Sequence, residues 1–242
     1  MELTKEEELG LKGEFGESLQ TAYRILVATG EATNAEKLIP IKWAHLSGVN
    51  YNTIGDAGEE FLAKLAMNAK VKVMTTVNPM GFDFDSVSKY NLSEEFILKQ
   101  KSIADSYKKL GVIPSFSCIP YEIFDLPENG TQVSFAESNA AIYANSIGNL
   151  KTNKESAFSA LASALTGKSP YSDLRIDDTP NLTIQMKIDQ PDELTFGMLG
   201  YFAGKVADNA VQISGVSDMD RRQCKSLCGG MGTSGRCGKF IL

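Results

Sequence analysis

The chain has 242 residues, 43% of them hydrophobic and 22% charged, and a formal net charge of −6. That is enough for one large or two small soluble domains with a substantial core. The acidic balance and the lack of a dense Lys/Arg run exclude a nucleic-acid surface. No apolar run approaches the roughly 18 residues of a bilayer span.

The opening Met1–Glu8 segment is too acidic for a signal or transit peptide, so the expected location is the cytoplasm. In that reducing setting Cys118, Cys224, Cys228 and Cys237 are expected as buried thiols, metal ligands or reactive groups rather than disulfides.

Thr4-x-x-Glu7 is a capping-box signature for a first short helix. The apolar residues Phe15, Leu19, Tyr23, Leu26 and Val27 predict an amphipathic helix that ends near Gly30. Leu38–Ile41 is an apolar run. After it come a polar stretch from Lys42 to Gly58 and an amphipathic segment, Phe61–Met67. A strand end, a polar loop and a helix start are where open α/β folds place ligands. The stretch holds the only histidine, His45, and an aspartate, Asp56, between Gly55 and Gly58 at a predicted helix N-terminus. The alternative is a capped strand–helix connection with a structural histidine.

Val71–Val77 reads as a strand stopped by Asn78-Pro79-Met80-Gly81. Ser93 can cap a helix through Leu110, with Gly111 as its stop. Val112–Tyr121 reads as a buried strand, and Val133–Ala136 as a short one leading into a helix over Ala140–Ile147. Ser159–Leu165 is a further helix, closed by Gly167. From Asn181 onward the pattern predicts a strand over Leu182–Ile188 and a helix over Leu194–Val206. A strand, Val211–Ile213, and a helix from about Met219 to Cys228 complete it. Asp177–Pro180 is the best internal boundary, giving segments 1–176 and 177–242. Strands alternating with helices predict an α/β layered architecture with a mostly parallel sheet.

Four polar clusters each follow an apolar run: His45–Asp56, Thr75–Asn78, Cys118–Tyr121 and Glu137–Asn145. If the strands before them are parallel, the clusters meet at one sheet edge. Their hydroxyls, amides, imidazole, thiol and carboxylates suit a small polar ligand. Cys224, Cys228 and Cys237 match no strong metal spacing and read as structural thiols before metal ligands. Gly230-x-Gly232-x-x-Gly235 fits the dinucleotide fingerprint in form only, because it trails a helix rather than a strand.

The order of these clusters resembles the large subunit of aconitase X proteins. The resemblance is carried by Leu38-Ile39-Pro40-Ile41-Lys42-x-Ala44-His45-x-Ser47-Gly48-Val49-x-Tyr51-x-Thr53-Ile54-Gly55-Asp56-Ala57-Gly58 and by Thr75-Thr76-x-Asn78-Pro79-x-Gly81. It continues through Cys118-x-Pro120-Tyr121 and Glu137-Ser138-x-Ala140-Ala141-x-Tyr143-Ala144-Asn145-Ser146. Thr152-Asn153-x-Glu155 and Ala164-Leu165-Thr166-Gly167-x-x-Pro170-Tyr171 complete it.

The resemblance implies layered, aconitase-like α/β/α domains and a small swivelling subunit that closes the site. It implies dehydration of a small hydroxy acid assisted by an iron–sulfur cluster, 4Fe–4S favoured over 2Fe–2S. Phosphomevalonate is the favoured substrate and cis-3-hydroxy-L-proline the alternative, with a cluster-free binding or assembly module as a further reading. His45, Ser47 and Asp56 are the implied catalytic residues and Cys118 the implied cluster ligand. Gly48, Thr53, Thr76, Asn78, Glu137, Ser138, Asn139, Asn145, Lys151, Asn153 and Lys154 are the implied substrate contacts. Two arginines flank Thr-Asn in the family pattern, where this chain has Lys151 and Lys154; lysine keeps the charge but loses the bidentate fork. Family large subunits also extend beyond the position of Leu242, and that region holds the other cluster cysteines. Cys118 alone is not expected to hold a stable cluster.

Overall fold

The computed structural model describes residues 1–216 and 218–242. Two parallel three-stranded sheets organise it, each covered by helices. The first has the order β3-β2-β4, with β2 (Trp43–Leu46) between β3 (Met74–Val77) and β4 (Val133–Phe135). The second has the order β6-β7-β8, from Leu182–Gln185, Ala210–Ser214 and Lys239–Ile241. A two-stranded antiparallel ribbon joins β1 (Leu38–Pro40) to β5 (Lys168–Pro170). The mostly parallel α/β layering expected from the sequence is the observed class, with one correction. Leu38–Pro40 pairs in the side ribbon, and the strand that enters the main sheet is Trp43–Leu46, inside the stretch read as a polar loop.

All four residues of β2 are buried because the strand has neighbours on both edges and helices on both faces. Ala44 and Leu46 enter a core shared with α2 (Glu17–Ala32), α3 (Tyr51–Asn68), α4 (Glu94–Leu110) and α6 (Ala157–Thr166). Trp43 enters a second cluster with Phe135 and with Ala140, Ala141 and Ala144 of α5 (Ser138–Ser146). A buried strand of this kind carries no polar–apolar alternation, so its pattern did not announce it.

Local signals set most helix ends. Thr4 and Glu7 form the expected capping box of α1 (Lys5–Lys12). Ser93 caps α4 and Gly111 ends it, while Gly167 ends α6. The strand expected over Val112–Tyr121 does not form. Ile113 makes one bridge to Thr76, then Pro114 offers no N–H and Phe116 takes a positive φ of 45°, which breaks the ladder. The segment is instead tied to the end of β3, where the Ser115 hydroxyl sits 2.9 Å from both the N and the O of Val77.

Around the second sheet, which with its helices is called the second unit below, α7 (Glu193–Val206) lies against α8 (Arg221–Ser234). The helix expected to stop near Cys228 continues to Ser234, and Gly230 and the capping Gly235 lie in its contact with α7. A Cβ on Gly230 would fall on the carbonyl oxygen of Gly197, and one on Gly235 on that of Gly204. The Gly-x-Gly-x-x-Gly run is thus a close-packing surface. Gly229 faces open space. Gly229→Ala is expected to raise stability by about 0.5–1 kcal/mol through helix propensity. Gly230→Ala is expected to lower it by about 1–3 kcal/mol through overpacking. Equal effects of the two variants in urea unfolding would contradict this packing.

Candidate functional site

Parallel pairing places His45 opposite Thr76 on one side and Phe135 on the other. The imidazole is fully buried, and the Phe135 ring stands edge-on to it at 5.7 Å between centroids. Both ring nitrogens have partners: Nδ1 lies 2.8 Å from Thr76 Oγ1, and Nε2 lies 2.8 Å from Asn78 Oδ1. The Trp43 indole donates to the same Thr76 oxygen at 2.9 Å. Asn78 Nδ2 donates in turn to Glu137 Oε2.

These partners fix the protons. Indole Nε1 can only donate and an amide oxygen can only accept. His45 therefore donates from Nε2 to Asn78, and its bare Nδ1 accepts from the Thr76 hydroxyl. Burial holds the imidazole neutral, lowering its pKa to about 4, and the Asn78 hydrogen bond offsets only part of that effect. His45 is a fixed donor in this setting, not a group that titrates near neutral pH.

Glu137 is the N-cap residue of α5, yet its side chain does not cap the helix. It is half-buried, beside Cys118: burial first and the Glu137 charge second push the Cys118 thiol up. The Ser47 hydroxyl donates to Ala136 O at 3.3 Å, and Ser138 and Asn139 open α5 immediately after Glu137. Gly232 of α8 leaves room for this turn, since a Cβ there would press on Ser138 and on the Asn139 N–H at 3.1 Å. His45, Ser47, Thr76, Asn78, Cys118, Glu137, Ser138 and Asn139 are therefore gathered at the C-terminal ends of β2, β3 and β4.

Other residues named from the sequence lie elsewhere. Asp56 follows a kink in α3 at Gly55, where φ is 60°, and is exposed; it accepts from the Tyr51 hydroxyl and pairs with Lys99, both at 2.9 Å. Gly48 and Thr53 border an apolar groove of about 740 Å³ with Ile25, Phe61 and Phe158. The Asn145 amide is fully used within the fold. It donates to Thr152 O at 2.9 Å and Gly238 O at 3.1 Å, and accepts from Thr152 N at 2.9 Å.

Lys151 pairs with Asp178, which also holds Lys239 at 2.6 Å. Burial pushes the Asp178 carboxyl up, but the two lysines outweigh it and bring it down to about 2. Lys154 donates to Gly235 O at 2.8 Å, and burial lowers its pKa. Asn153 donates to Pro170 O and Ser172 Oγ, both at 3.3 Å, and leaves its buried Oδ1 without a protein partner.

Sequence reasoning missed Trp43. The clue was there: the only tryptophan stands two residues before the only histidine, so on a strand both point to one face. It also missed Arg175, fully buried and bonded to Gln132, Val133 O, Ser169 and Glu155, which no local pattern signals.

The residues present do not by themselves fit an iron–sulfur cluster. Among the described residues no group of three or more His, Cys, Asp and Glu side chains is placed to share a metal. Cys224 and Cys228 hydrogen-bond to each other, and that contact and burial push the Cys228 thiol far up. The Cys237 thiol donates to Lys239 O at 3.3 Å.

Layered α/β folds with polar side chains gathered where parallel strands end form a class in which ligands are commonly placed at the sheet edge. The comparisons narrow that class. A family model described as aconitase X first domain matches residues 1–178, and one described as aconitase X second domain matches residues 180–242. The chain belongs to the aconitase X family. It is 42% identical over 219 residues to a phosphomevalonate dehydratase large subunit of Methanocaldococcus jannaschii, covering 87% of this chain and 54% of that protein. It is 30% identical over 233 residues to a cis-3-hydroxy-L-proline dehydratase of Pseudomonas aeruginosa, covering 93% of this chain and 40% of that protein. A holo-form crystal structure of aconitase X from Thermococcus kodakaraensis matches all of this chain and 61% of its own, with a TM-score of 0.91 and 37% identity. The chain spans about half the length of the curated relatives it matches.

The buried imidazole has a pH signature. Unfolded histidine takes up a proton below its ordinary value of 6.5, whereas folded His45 resists until about 4. Stability contributed by the neutral ring is full above pH 6.5 and lost as the pH falls to 4, by about 3 kcal/mol in all. His45→Asn is expected to flatten that part of the stability–pH curve. Identical slopes for wild type and variant in urea titrations at pH 4.5, 5.5 and 7 would refute the assignment.

Proposed function

We propose that the chain supplies part of a dehydratase site for a small hydroxy acid, phosphomevalonate first and cis-3-hydroxy-L-proline second. The observation that carries the reading is the gathering of His45, Asn78, Cys118, Glu137 and Ser138 at one sheet edge of an aconitase X chain. Identity favours the phosphorylated substrate, 42% against 30% for the relatives named above.

Dehydration removes a proton from one carbon and a hydroxyl from its neighbour, so the site must accept a proton and hold the anionic groups of the acid in place. The edge offers one carboxylate, Glu137, and three neutral groups, Ser47, Ser138 and Asn139, that can bind hydroxyl or carboxylate oxygens. Lys151, Asn153 and Lys154 are proposed to meet the negative end of the substrate. That requires the Lys154 ammonium to leave the Gly235 carbonyl. Gly48, Thr53 and Asp56 are proposed to act at the edge of the site, on the α3 side.

The first relative is a large subunit, which supports a small-subunit partner for this chain too. If an iron–sulfur cluster serves the complete enzyme, Cys118 is this chain's candidate ligand and other ligands must come from outside these 242 residues. Among the described residues no helix is long and apolar enough to cross a membrane.

The test supplies this chain with the region of the M. jannaschii large subunit beyond the match and with its small subunit, under anaerobic conditions. Phosphomevalonate and cis-3-hydroxy-L-proline are then followed by proton NMR. Loss of water from phosphomevalonate is expected, and Lys154→Met is expected to weaken its binding about tenfold or more in calorimetry. Binding without turnover would favour the binding-module reading. Neither binding nor turnover of either acid would overturn the dehydratase reading.

A further inference from the structure

Burying hydrogen-bonding side chains between a sheet and its helices is costly unless each finds a partner. Here four such side chains are placed in a row in the first sheet. Trp43, His45 and Thr76 are fully buried and Asn78 is 9% exposed. Their bonds share one direction: Trp43 donates to Thr76, Thr76 to His45 Nδ1 at 2.8 Å in preference to Ala44 O at 3.5 Å, His45 Nε2 to Asn78, and Asn78 to Glu137. The row starts at a group that can only donate. It ends at a carboxylate, which can only accept when ionised. No member can reverse without leaving two donors or two acceptors face to face.

A core needs no such row for packing, because apolar side chains of similar volume fill a sheet interior without polar cost. The fixed feature at its end is one half-buried carboxylate, held by Oε2. Among the described residues its other oxygen, Oε1, takes no hydrogen bond from the protein.

We propose that Trp43, Thr76, His45 and Asn78 form a one-way positioning chain whose task is to aim Glu137, and that Glu137 is the group that meets the substrate's reacting carbon. This assigns His45 a positioning role rather than the catalytic one that the family resemblance implies, and it rests on the dehydratase reading for the identity of the substrate. Aligned bonds in a dry interior polarise one another, so a change at one end should be felt at the other.

The charged and titratable groups around the imidazole are few. β2, β3, β4 and α6 carry none besides His45 itself, α5 carries only Tyr143, and Glu137 stands at its N-cap. The segment beside β4 adds Lys154, which bridges to Phe135, Glu155, whose N–H bonds Phe135 O, and Arg175, which donates to Val133 O, while Cys118 lies beside Glu137.

The chain's single histidine makes the test direct. Proton–nitrogen NMR of the imidazole is recorded on the 242-residue chain from pH 5 to 8, for wild type, Glu137→Gln, Thr76→Val and Thr76→Ser. The expected result is one neutral Nε2–H tautomer throughout for wild type. The Nε2–H resonance should move in Glu137→Gln, two residues beyond the ring. The Nδ1 signal should change in Thr76→Val and return in Thr76→Ser, which keeps the hydroxyl. An Nδ1–H tautomer, a charged ring at pH 7, or an imidazole indifferent to Glu137→Gln would overturn the proposal.

In the complemented enzyme with phosphomevalonate, Thr76→Val should lower kcat tenfold or more with KM within threefold, and Thr76→Ser should restore it. Glu137→Gln should lower kcat at least a hundredfold. Equal loss in Thr76→Val and Thr76→Ser, or full activity in Glu137→Gln, would also overturn it. If the NMR signature is present but wild type neither binds nor converts phosphomevalonate, the substrate reading fails while the positioning chain stands.

Discussion

A polar ring cannot sit in the middle of a sheet unless both of its nitrogens are satisfied, and that requirement on His45 constrains much of the first unit. Thr76 must lie across from it, which fixes the register of β3 against β2. A slip of one residue would bring Thr75 or Val77 opposite His45 and carry Asn78 away from Nε2. Asn78 must then stand just past the end of β3, where its backbone N–H bonds Leu46 O at 2.9 Å. Glu137 must follow β4, which the third parallel strand ensures. The placement of the site and the stability of the sheet are thus set by the same bonds.

The second unit is tied to the first by polar contacts at their meeting line. Asn145 of α5 bonds both Thr152 and Gly238, and Asp178 bridges Lys151 and Lys239. Lys154 reaches the Gly235 carbonyl at the end of α8. Residues 151–154 run beside β4 through bridges at Gln132–Lys151 and Phe135–Lys154. The lysines that stand where the family pattern has arginines are therefore engaged with the fold. Each would have to exchange a protein partner for a ligand, and a lysine with its single ammonium can do so without breaking a bidentate pair.

The donor set separates two matters that family membership alone joins. The groups proposed to bind the acid, the neutral side chains and the carboxylate at the sheet edge, are all present in this chain. The metal-binding set is not, because Cys118 stands with Glu137 rather than with other thiols and the remaining cysteines lie in the second unit's core or at its last strand. Under the proposed reading, groups that these residues do not supply come from the rest of the enzyme.

The sequence by itself determined the helix ends that depend on local chemistry, such as the Thr4–Glu7 box, the Ser93 cap and the Gly111 and Gly167 stops. It also determined the order of the polar clusters, and the long motif around His45 placed the chain in its family. What it could not determine was that β2 runs through that motif, since a strand buried on both faces has no alternation to read. Nor could it reveal that Val112–Tyr121 would fail as a strand or that the α8 glycines serve helix contact.

Tertiary structure alone decided that His45 is a fixed donor, that Asn145 is a structural tie and that Asp56 faces solvent beside Lys99. In each case the physical reason is the same. A side chain's chemistry is set by the partners and the dryness around it, and those come from residues far away in the chain.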